Sequence, residues 1–203
     1  MNRYIKIMVL SCLLIVLLCF MCIATFAHSP GTTFSDYGSE TKGWIIRPAH
    51  HNANKSLTYQ YDTSDTFMTV MFGTLYRNMF TNGAAKWTPC GASITQSSSS
   101  VNLVGTYFDS GTSTNAWCGN YTYNSTTKHT TKFEIRLNRH YHDVDSSSSY
   151  NESTVAHEFG HAFGLLDLYN SSNQTKLMYG YTNRAINPTI CELSGLNSIA
   201  NGN

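Results

Sequence analysis

Charged side chains are scarce in this 203-residue chain, in which Lys and Arg number 13, Asp and Glu number 12, and charged residues make up 12% of the total. The formal net charge of +1 excludes a strong overall electrostatic field for nucleic acid or for acidic substrates. Internal repeats are absent. The length fits one domain, and the 41% of hydrophobic residues is enough for a single core.

The N-terminal segment has no charged residue from Ile7 to Phe26, and Arg3 and Lys6 precede this run. A basic start, an apolar stretch and small residues predict a secretory signal peptide over residues 1–27, with cleavage after Ala27. A run of about twenty apolar residues is also long enough to span a bilayer, so an uncleaved anchor is the alternative. In both cases we expect the remaining chain to be exported: secreted if the segment is cleaved, membrane-anchored if it is retained.

Cysteine pairs of the C-x-x-C type are absent after residue 27, which disfavours a cysteine zinc cluster. The cysteines downstream of that point are Cys90, Cys118 and Cys191. This is an odd number for an exported protein, so at least one thiol would stay unpaired within the chain. A Cys90–Cys118 disulfide and three free thiols are the two interpretations that stay open.

Alternation of apolar and polar residues predicts strands at Ser56–Asp62, 91–96, 101–108 and Lys132–Asn138. Residues 110–131 are rich in Ser, Thr, Asn and Gly, and we interpret them as a long loop with a short edge strand near Trp117.

Apolar residues at helical spacing predict a helix over Thr66–Phe80, with Asp65 as its N-cap and an extension towards residues 84–87. Ser149 and Glu152 fit a capping box, which places the start of a second helix there. The order of strand, helix, several strands, helix and an irregular tail predicts an α+β domain.

The stretch HEFGHAFGLLD, residues 157–167, sets four polar side chains among apolar residues. Such side chains are costly to bury unless something binds them. Residues four apart share a helix face, so His157 and His161 would lie side by side and bind one metal ion. Gly164 can adopt a left-handed conformation that ends the helix, after which the chain can bring Asp167 to the ion.

Three protein ligands and an open fourth position are typical of a catalytic zinc site. We therefore predict one Zn²⁺ bound by His157, His161 and Asp167, with water as the fourth ligand. Glu158 comes directly after His157 and would point beside the ion rather than at it. A general base for the metal-bound water belongs at that position.

The motif resembles H-E-x-x-H-x-x-G-x-x-[H/D], the signature of the metzincin zinc endopeptidases, and the aspartate at its end is similar to the snapalysin branch. LMYG, residues 177–180, resembles the Met-turn, whose methionine underlies the zinc site in that family and would here be Met178. Similarity to matrixin-like catalytic domains continues in LTYQYD with the helix after it, in EIRLN, and in the tail NPTICELSGLNSIA. The resemblance spans Leu57–Ala200.

This resemblance implies a metzincin-like domain over residues 56–203, with a twisted mixed sheet, two main helices and a C-terminal helix, after a short N-terminal or pro-segment over 28–55. It implies a secreted zinc metalloendopeptidase with Glu158 as the catalytic base. We expect a protein or peptide substrate that pairs with an edge strand over Asn115–Tyr123. We also expect a monomer without a nucleic-acid partner, and without a membrane partner unless the N-terminal segment is retained.

The chain departs from the family pattern in two respects. A cysteine-switch segment is absent, so we do not expect latency through a propeptide thiol. The position two residues after the turn methionine, a tyrosine in some metzincins, is Gly180 here. Tyr179 and Tyr181 lie on either side of it, and neither is assigned a catalytic role.

A catalytically silent exported binding module, in which the metal is only a structural brace, is the alternative function. The intact Glu158 argues against it, because a brace needs the ligands and not the base. Elsewhere, His140 and His142 are interpreted either as a second zinc site or as solvated residues after a strand. His50 and His51 have no partner that the sequence identifies.

Overall fold

A computed structural model describes residues 34–70, 72–143 and 148–202. The predicted signal peptide, residues 1–27, lies outside the described residues, as does the beginning of the segment 28–55. Within the described ranges, no helix is both long and apolar enough to cross a membrane.

The main sheet has five strands, and a separate two-stranded sheet precedes it along the chain. The small sheet pairs β1 (Gly38–Ser39) with β2 (Trp44–Ile45) in antiparallel orientation. The strands of the main sheet are β3 (Ser56–Tyr61), β4 (Ser93–Gln96), β5 (Leu103–Tyr107), β6 (Ala116–Tyr123) and β7 (Thr130–Asn138).

The main sheet is mixed, with the strand order β4-β3-β5-β7-β6. Strand β3 runs parallel to β4 and β5, and β5 runs parallel to β7. Strand β6 is antiparallel to β7 and forms one edge of the sheet. The prediction of an α+β domain with a mixed sheet is therefore confirmed, as are the four strands that alternation indicated.

The edge strand predicted near Trp117 is present within residues 110–131, but it is longer than predicted, because β6 spans eight residues. The segment is mainly polar, but three of its four alternate positions from 117 to 123 are aromatic, namely Trp117, Tyr121 and Tyr123. Pairing with β7 satisfies its backbone, and the register shifts between Gly119 and Thr122. A long-range partner thus makes a strand of a segment whose local composition favours a loop.

The helices are α1 (Thr66–Thr69), α2 (Gly73–Ala85), α3 (Ser148–Phe163) and α4 (Ile190–Asn201). The predicted N-cap is confirmed, because the carboxylate of Asp65 accepts a hydrogen bond from the backbone N–H of Phe67 at 3.0 Å. The single helix predicted over Thr66–Phe80 is wrong, since the chain breaks between α1 and α2.

The break between α1 and α2 has a local cause. Phe72 has a left-handed backbone with a φ of 51°. A Cβ at Gly73 would lie 2.7 Å from the carbonyl oxygen of Met68, so the turn requires glycine at that position. The apolar periodicity continues through both helices and therefore does not indicate this turn.

The predicted capping box at Ser149 is also wrong. Helix α3 already includes Ser148, and the Glu152 carboxylate accepts a hydrogen bond from the Asn82 side chain of α2 at 2.8 Å. A capping box does occur at α4, where Thr189 and Glu192 bond reciprocally. The C-terminal helix that the family resemblance implied is present as α4.

Helix α3 packs against both α2 and the main sheet. A Cβ at Gly83 of α2 would lie 2.5 Å from the Val155 side chain, so the two helices approach closely there. Towards the sheet, the ring of Phe159 lies 5.5 Å from that of Tyr59 on β3.

The cysteines at 90, 118 and 191 are all free thiols, so the Cys90–Cys118 disulfide interpretation is wrong.

Candidate metal centre

Helix α3 places His157 and His161 one turn apart on the same face, with their Nε2 atoms 3.1 Å from each other. The other side chains of this part of the helix pack into the hydrophobic core. Its apolar side chains at 155, 156, 159, 162 and 163 are at most 1% exposed. The rotation of the helix about its axis is therefore determined by packing, and the two imidazoles line a cavity on the other face.

Gly164 ends α3 and turns the chain back. Its φ is +113°, and a Cβ there would lie 2.6 Å from the Cβ of His51, so glycine is required. The turn brings Asp167 to the histidines, with its Oδ1 atom 3.0 Å from Nε2 of His157 and 3.5 Å from Nε2 of His161. The three predicted ligands are thus brought together within 4.8 Å of one another.

Backbone carbonyls determine which imidazole nitrogen carries the proton. Nδ1 of His157 donates to the carbonyl of Leu177 at 2.8 Å, and Nδ1 of His161 donates to the carbonyl of Leu165 at 2.8 Å. A carbonyl only accepts, so in the neutral imidazoles the lone pairs lie on Nε2. Metal-binding histidines are commonly oriented in this way.

The two Nε2 atoms and Oδ1 of Asp167 are therefore three acceptors that face one point. Their separations of 3.0 to 3.5 Å are close to the ~3.3 Å between ligand atoms that tetrahedral zinc with bonds of about 2.0–2.1 Å requires. Three acceptors at these distances repel one another unless a metal ion, or a proton on one of the imidazoles, lies between them. The donor set fits a divalent metal, and zinc in particular.

Tyr169 adds a contact that the sequence analysis missed. Its hydroxyl donates to Oδ2 of Asp167 at 3.3 Å, which leaves Oδ1 directed at the histidines. Such outer contacts orient a metal ligand and tune it. No sequence pattern indicates this tyrosine, because the turn after Asp167 alone brings it back to the carboxylate.

Glu158 lies next to the three acceptors without joining them. Its side chain is buried, and burial raises the pKa of its carboxyl to about 7. The backbone N–H of Cys118 on β6 hydrogen-bonds to the carboxyl and opposes part of that shift. A buried carboxyl that titrates near neutral pH can both take up and release a proton there.

The charges around the ligands shift their pKa values in opposite directions. Burial, with the nearby charge of Arg184, lowers the pKa of His157 to about 4. Burial also opposes the charged form of His161, but the hydrogen bond and charge of Asp167 outweigh it and raise the pKa. Although burial alone would raise it, the hydrogen bonds and positive charge that both histidines provide when protonated hold the pKa of Asp167 well below its usual range.

Met178, which the resemblance to a Met-turn picks out, packs against α3 at Gly160. The residue is fully buried, and a Cβ at Gly160 of α3 would lie 2.3 Å from its sulfur atom. Its backbone N–H donates to the buried carboxylate of Glu192 at 3.0 Å. The spacing of Thr189 and Glu192 could have indicated their capping box, but no sequence pattern indicates the contact with Met178.

A cavity of about 630 Å³ opens onto the three ligands and Glu158. One wall is the edge of the sheet at residues 115–118, which agrees with the predicted edge strand near Trp117. The chain after Met178 also lines the cavity, from Gly180 to Arg184 apart from Asn183, as does Arg47. Sequence patterns indicated neither arginine.

The tyrosines beside Gly180 differ in their surroundings. Tyr179 is 7% exposed, whereas Tyr181 is 55% exposed and lines the cavity. Their rings pack edge to face with centroids 5.2 Å apart.

His140 and His142 are not brought together as a metal site. His142 is fully buried, and its Nδ1 donates to Oδ1 of Asn151 at 2.6 Å. His140 is exposed, and its ring lies against Phe108 and Tyr141. In the described ranges, only the group on α3 and the following turn has three metal-binding residues in reach of one point. The second zinc site is therefore not supported. The interpretation as a solvated residue holds for His140 alone.

His50 and His51 have structural partners that the sequence does not identify. Nδ1 of His50 lies 3.2 Å from the hydroxyl of Thr130, and its ring stacks on Tyr123 of β6. His51 forms a parallel bridge with His129. These histidines belong to the packing of the β6–β7 hairpin and not to the metal centre.

No family model matches this chain, and no curated protein matches it. Among solved structures, one whose title is "GM1 bound form of the ECX AB5 holotoxin" aligns with a TM-score of 0.49 and 14% sequence identity. The alignment covers 83% of this chain and 94% of that chain. A similarity of this size carries no argument about the fold or the activity of this chain.

Proposed function

We propose that this protein is an exported zinc-dependent endopeptidase of the metzincin type, with the snapalysin-like ligand set. The observation that carries the proposal is the convergence of His157, His161 and Asp167 on one point, with the buried carboxyl of Glu158 beside it. The packing of Met178 against Gly160 supports the same assignment.

The two imidazole Nε2 atoms and Oδ1 of Asp167 would hold the zinc ion. When bound, zinc makes water more acidic and polarises a carbonyl group. The Glu158 carboxylate accepts the proton that the attacking water loses, and then returns it to the nitrogen of the leaving amine. A pKa of about 7 suits both transfers at neutral pH.

The substrate would lie extended in the cavity, paired with the free edge of β6. Residues 115–118 line the cavity next to Glu158, and the other edge of β6 pairs with β7. Addition of a peptide strand to a sheet edge provides main-chain hydrogen bonds without requiring a particular sequence. This binding mode agrees with the edge strand expected over Asn115–Tyr123.

A silent binding module with a structural metal is less well supported. Burying a carboxyl costs free energy unless hydrogen bonds or charges compensate it. Glu158 is 5% exposed, and its raised pKa shows that its surroundings disfavour the charged form. A brace has no use for such a group, whereas a proton-transfer catalyst requires it.

The test uses the exported chain, incubated with casein in the presence and absence of a metal chelator. We expect cleavage that stops with the chelator and returns with added Zn²⁺. The matched control is Glu158→Gln, which keeps shape and hydrogen bonding and should bind zinc without cleaving. Chelator-resistant cleavage, or full activity of Glu158→Gln, would contradict the proposal.

Sequencing of the mature N-terminus tests export separately. A start at or near His28 supports a secreted protein, and a retained Met1 supports a membrane anchor. A mature start deep within the described domain would contradict both.

A further inference from the structure

Two arginines face the cavity that contains the metal centre, although the chain as a whole has almost no net charge. Arg47 and Arg184 both line this cavity, together with the carboxylates of Glu158 and Asp167. The two positive and two negative side chains balance one another when Glu158 is ionised. A divalent metal therefore leaves the cavity with two positive charges that no lining side chain compensates.

Arg184 uses only part of its hydrogen-bonding capacity. One terminal nitrogen donates to the carbonyl of Tyr181 and the other to the hydroxyl of Thr154, both at 3.2 Å. Its Nε atom is buried and has no hydrogen-bond partner among the described residues, so the donors left for a ligand are the second N–H groups of the two terminal nitrogens. A guanidinium has five N–H donors, and no carboxylate of the described residues forms an ion pair with this one.

Arg47 makes as many hydrogen bonds as Arg184, but its guanidinium also packs on an aromatic ring. It donates to the carbonyl of His161 at 3.4 Å and to the hydroxyl of Tyr121 at 3.2 Å. Its guanidinium carbon also lies 4.4 Å from the centre of the Tyr121 ring. This arginine joins the end of α3 to β6, and it provides a matched control for Arg184.

The contact with Thr154 shows how far Arg184 lies from Glu158. Thr154 and Glu158 are four residues apart on α3 and share a face, about one helical turn or ~5–6 Å along the axis. An extended peptide advances about 3.3 Å per residue. A substrate group that reaches Arg184 therefore belongs to a residue within about two positions of the bond beside Glu158.

We propose that Arg184 binds a carboxylate of the substrate, so that the enzyme prefers peptides with an acidic group beside the scissile bond. The inference rests on the proposed endopeptidase function. A half-buried guanidinium with unused donors binds a carboxylate through charge-assisted and often bidentate hydrogen bonds. The carboxylate is either an Asp or Glu side chain or the C-terminus of a short peptide, and the two sources are separable by experiment.

The experiment compares peptides that differ at one position beside the scissile bond, with Glu, Gln or Lys there and an amidated C-terminus. A fourth peptide has Gln and a free C-terminal carboxylate next to the cleavage position. For the wild-type protein we expect kcat/KM to be about 10- to 100-fold higher for Glu than for Gln, and lowest for Lys. If the free-acid Gln peptide instead shows the gain, the C-terminus is the carboxylate that Arg184 binds.

The variants assign the preference to Arg184. We expect Arg184→Met to abolish the Glu-to-Gln ratio, Arg184→Lys to keep part of it, and Arg47→Met to keep it. A zinc stoichiometry of one in each variant shows that the centre is intact. Calorimetric titration of zinc-loaded Glu158→Gln protein, which retains Arg184, with the Glu and Gln peptides repeats the comparison without cleavage and without changing the arginine.

Equal kcat/KM and equal affinity for all four peptides would overturn the inference. So would an equal loss of rate for every peptide in Arg184→Met, because that pattern places the arginine at the reacting carbonyl instead. Absence of any chelator-sensitive cleavage would overturn the endopeptidase proposal. Tighter binding of the Glu peptide in the calorimetric arm would in that case still support carboxylate recognition by Arg184.

Discussion

Two pairs of histidines in this chain have a short spacing in sequence but different surroundings. His157 and His161 lie on one face of α3, with their Nε2 atoms 3.1 Å apart and both near Oδ1 of Asp167. His142 is buried against Asn151, whereas His140 is exposed two residues earlier. The first pair converges on one point, and the second pair is divided between core and solvent.

The difference shows how far a short sequence spacing predicts side-chain positions in a helix and in a turn. A helix keeps residues four apart on one face wherever it lies. Residues 139–142 instead follow the end of β7 in a turn, where alternate residues do not share a side. The H-x-H spacing therefore carries no information about a metal site there, while the H-E-x-x-H spacing does.

The largest expected difference between the pairs is in bound zinc. We expect His157→Ala to lower the zinc stoichiometry from one towards zero, because one of three protein ligands is lost. His142→Ala should keep a stoichiometry of one. Metal analysis of both purified variants makes the comparison, and equal zinc loss in the two would mean that their histidines do not differ as described.

Within the metal centre, the roles of Glu158 as a base and of His157 as a ligand can be compared. We expect Glu158→Ala to lower kcat by about 10²- to 10⁴-fold, the usual contribution of a general base, while zinc remains bound. Peptide cleavage and zinc titration on the same preparation distinguish base from ligand. Zinc loss as severe as in His157→Ala would identify Glu158 as a ligand instead.

Asp167 tests whether the third acceptor is needed in addition to the pair. Loss of an outer contact costs about 10- to 100-fold in metal affinity, so we expect Asp167→Ala to weaken zinc binding by at least that factor. Asp167→His should restore much of the affinity, because imidazole is also a zinc ligand. Competition titration with a chelator gives the affinities, and wild-type affinity in Asp167→Ala would remove Asp167 from the centre.

The smallest expected effect is the pH dependence of stability at His142. Burial lowers the pKa of this histidine, and the hydrogen bond with Asn151 offsets only part of that shift. The unfolded chain, with an ordinary pKa of ~6.5, then binds the proton first, so the free energy of unfolding falls as pH drops below ~6.5.

Urea unfolding of the metal-free protein between about pH 7 and 5, on either side of that ordinary value, measures this slope. His142→Asn should flatten it, since the variant has no proton to bind at that position. His140→Asn is the matched control, because it removes a histidine two residues away and keeps the buried contact of His142 with Asn151. Identical slopes for His142→Asn and the wild-type protein would contradict the assignment.

The elements that could be predicted from the sequence depend on local backbone geometry. Helix α3, its end at Gly164 and the common face of His157 and His161 all follow from residues within three turns of one helix. The four alternating strands follow in the same way. The break before Gly73 did not follow from the sequence, because a close carbonyl contact causes it. The strand Ala116–Tyr123 was predicted as a short edge strand, but its full length depends on pairing with β7.

By itself, the sequence determined the kind of centre: two imidazoles four residues apart, a carboxyl between them, and a glycine that lets the chain return with Asp167. Only the tertiary structure decided what surrounds that centre. Tyr169 reaches the aspartate, Glu192 holds Met178 in place, and Arg184 reaches the cavity through its contact with Thr154. Periodicity describes neighbours along one element, whereas these contacts join segments whose distance is determined by the packing of the whole core.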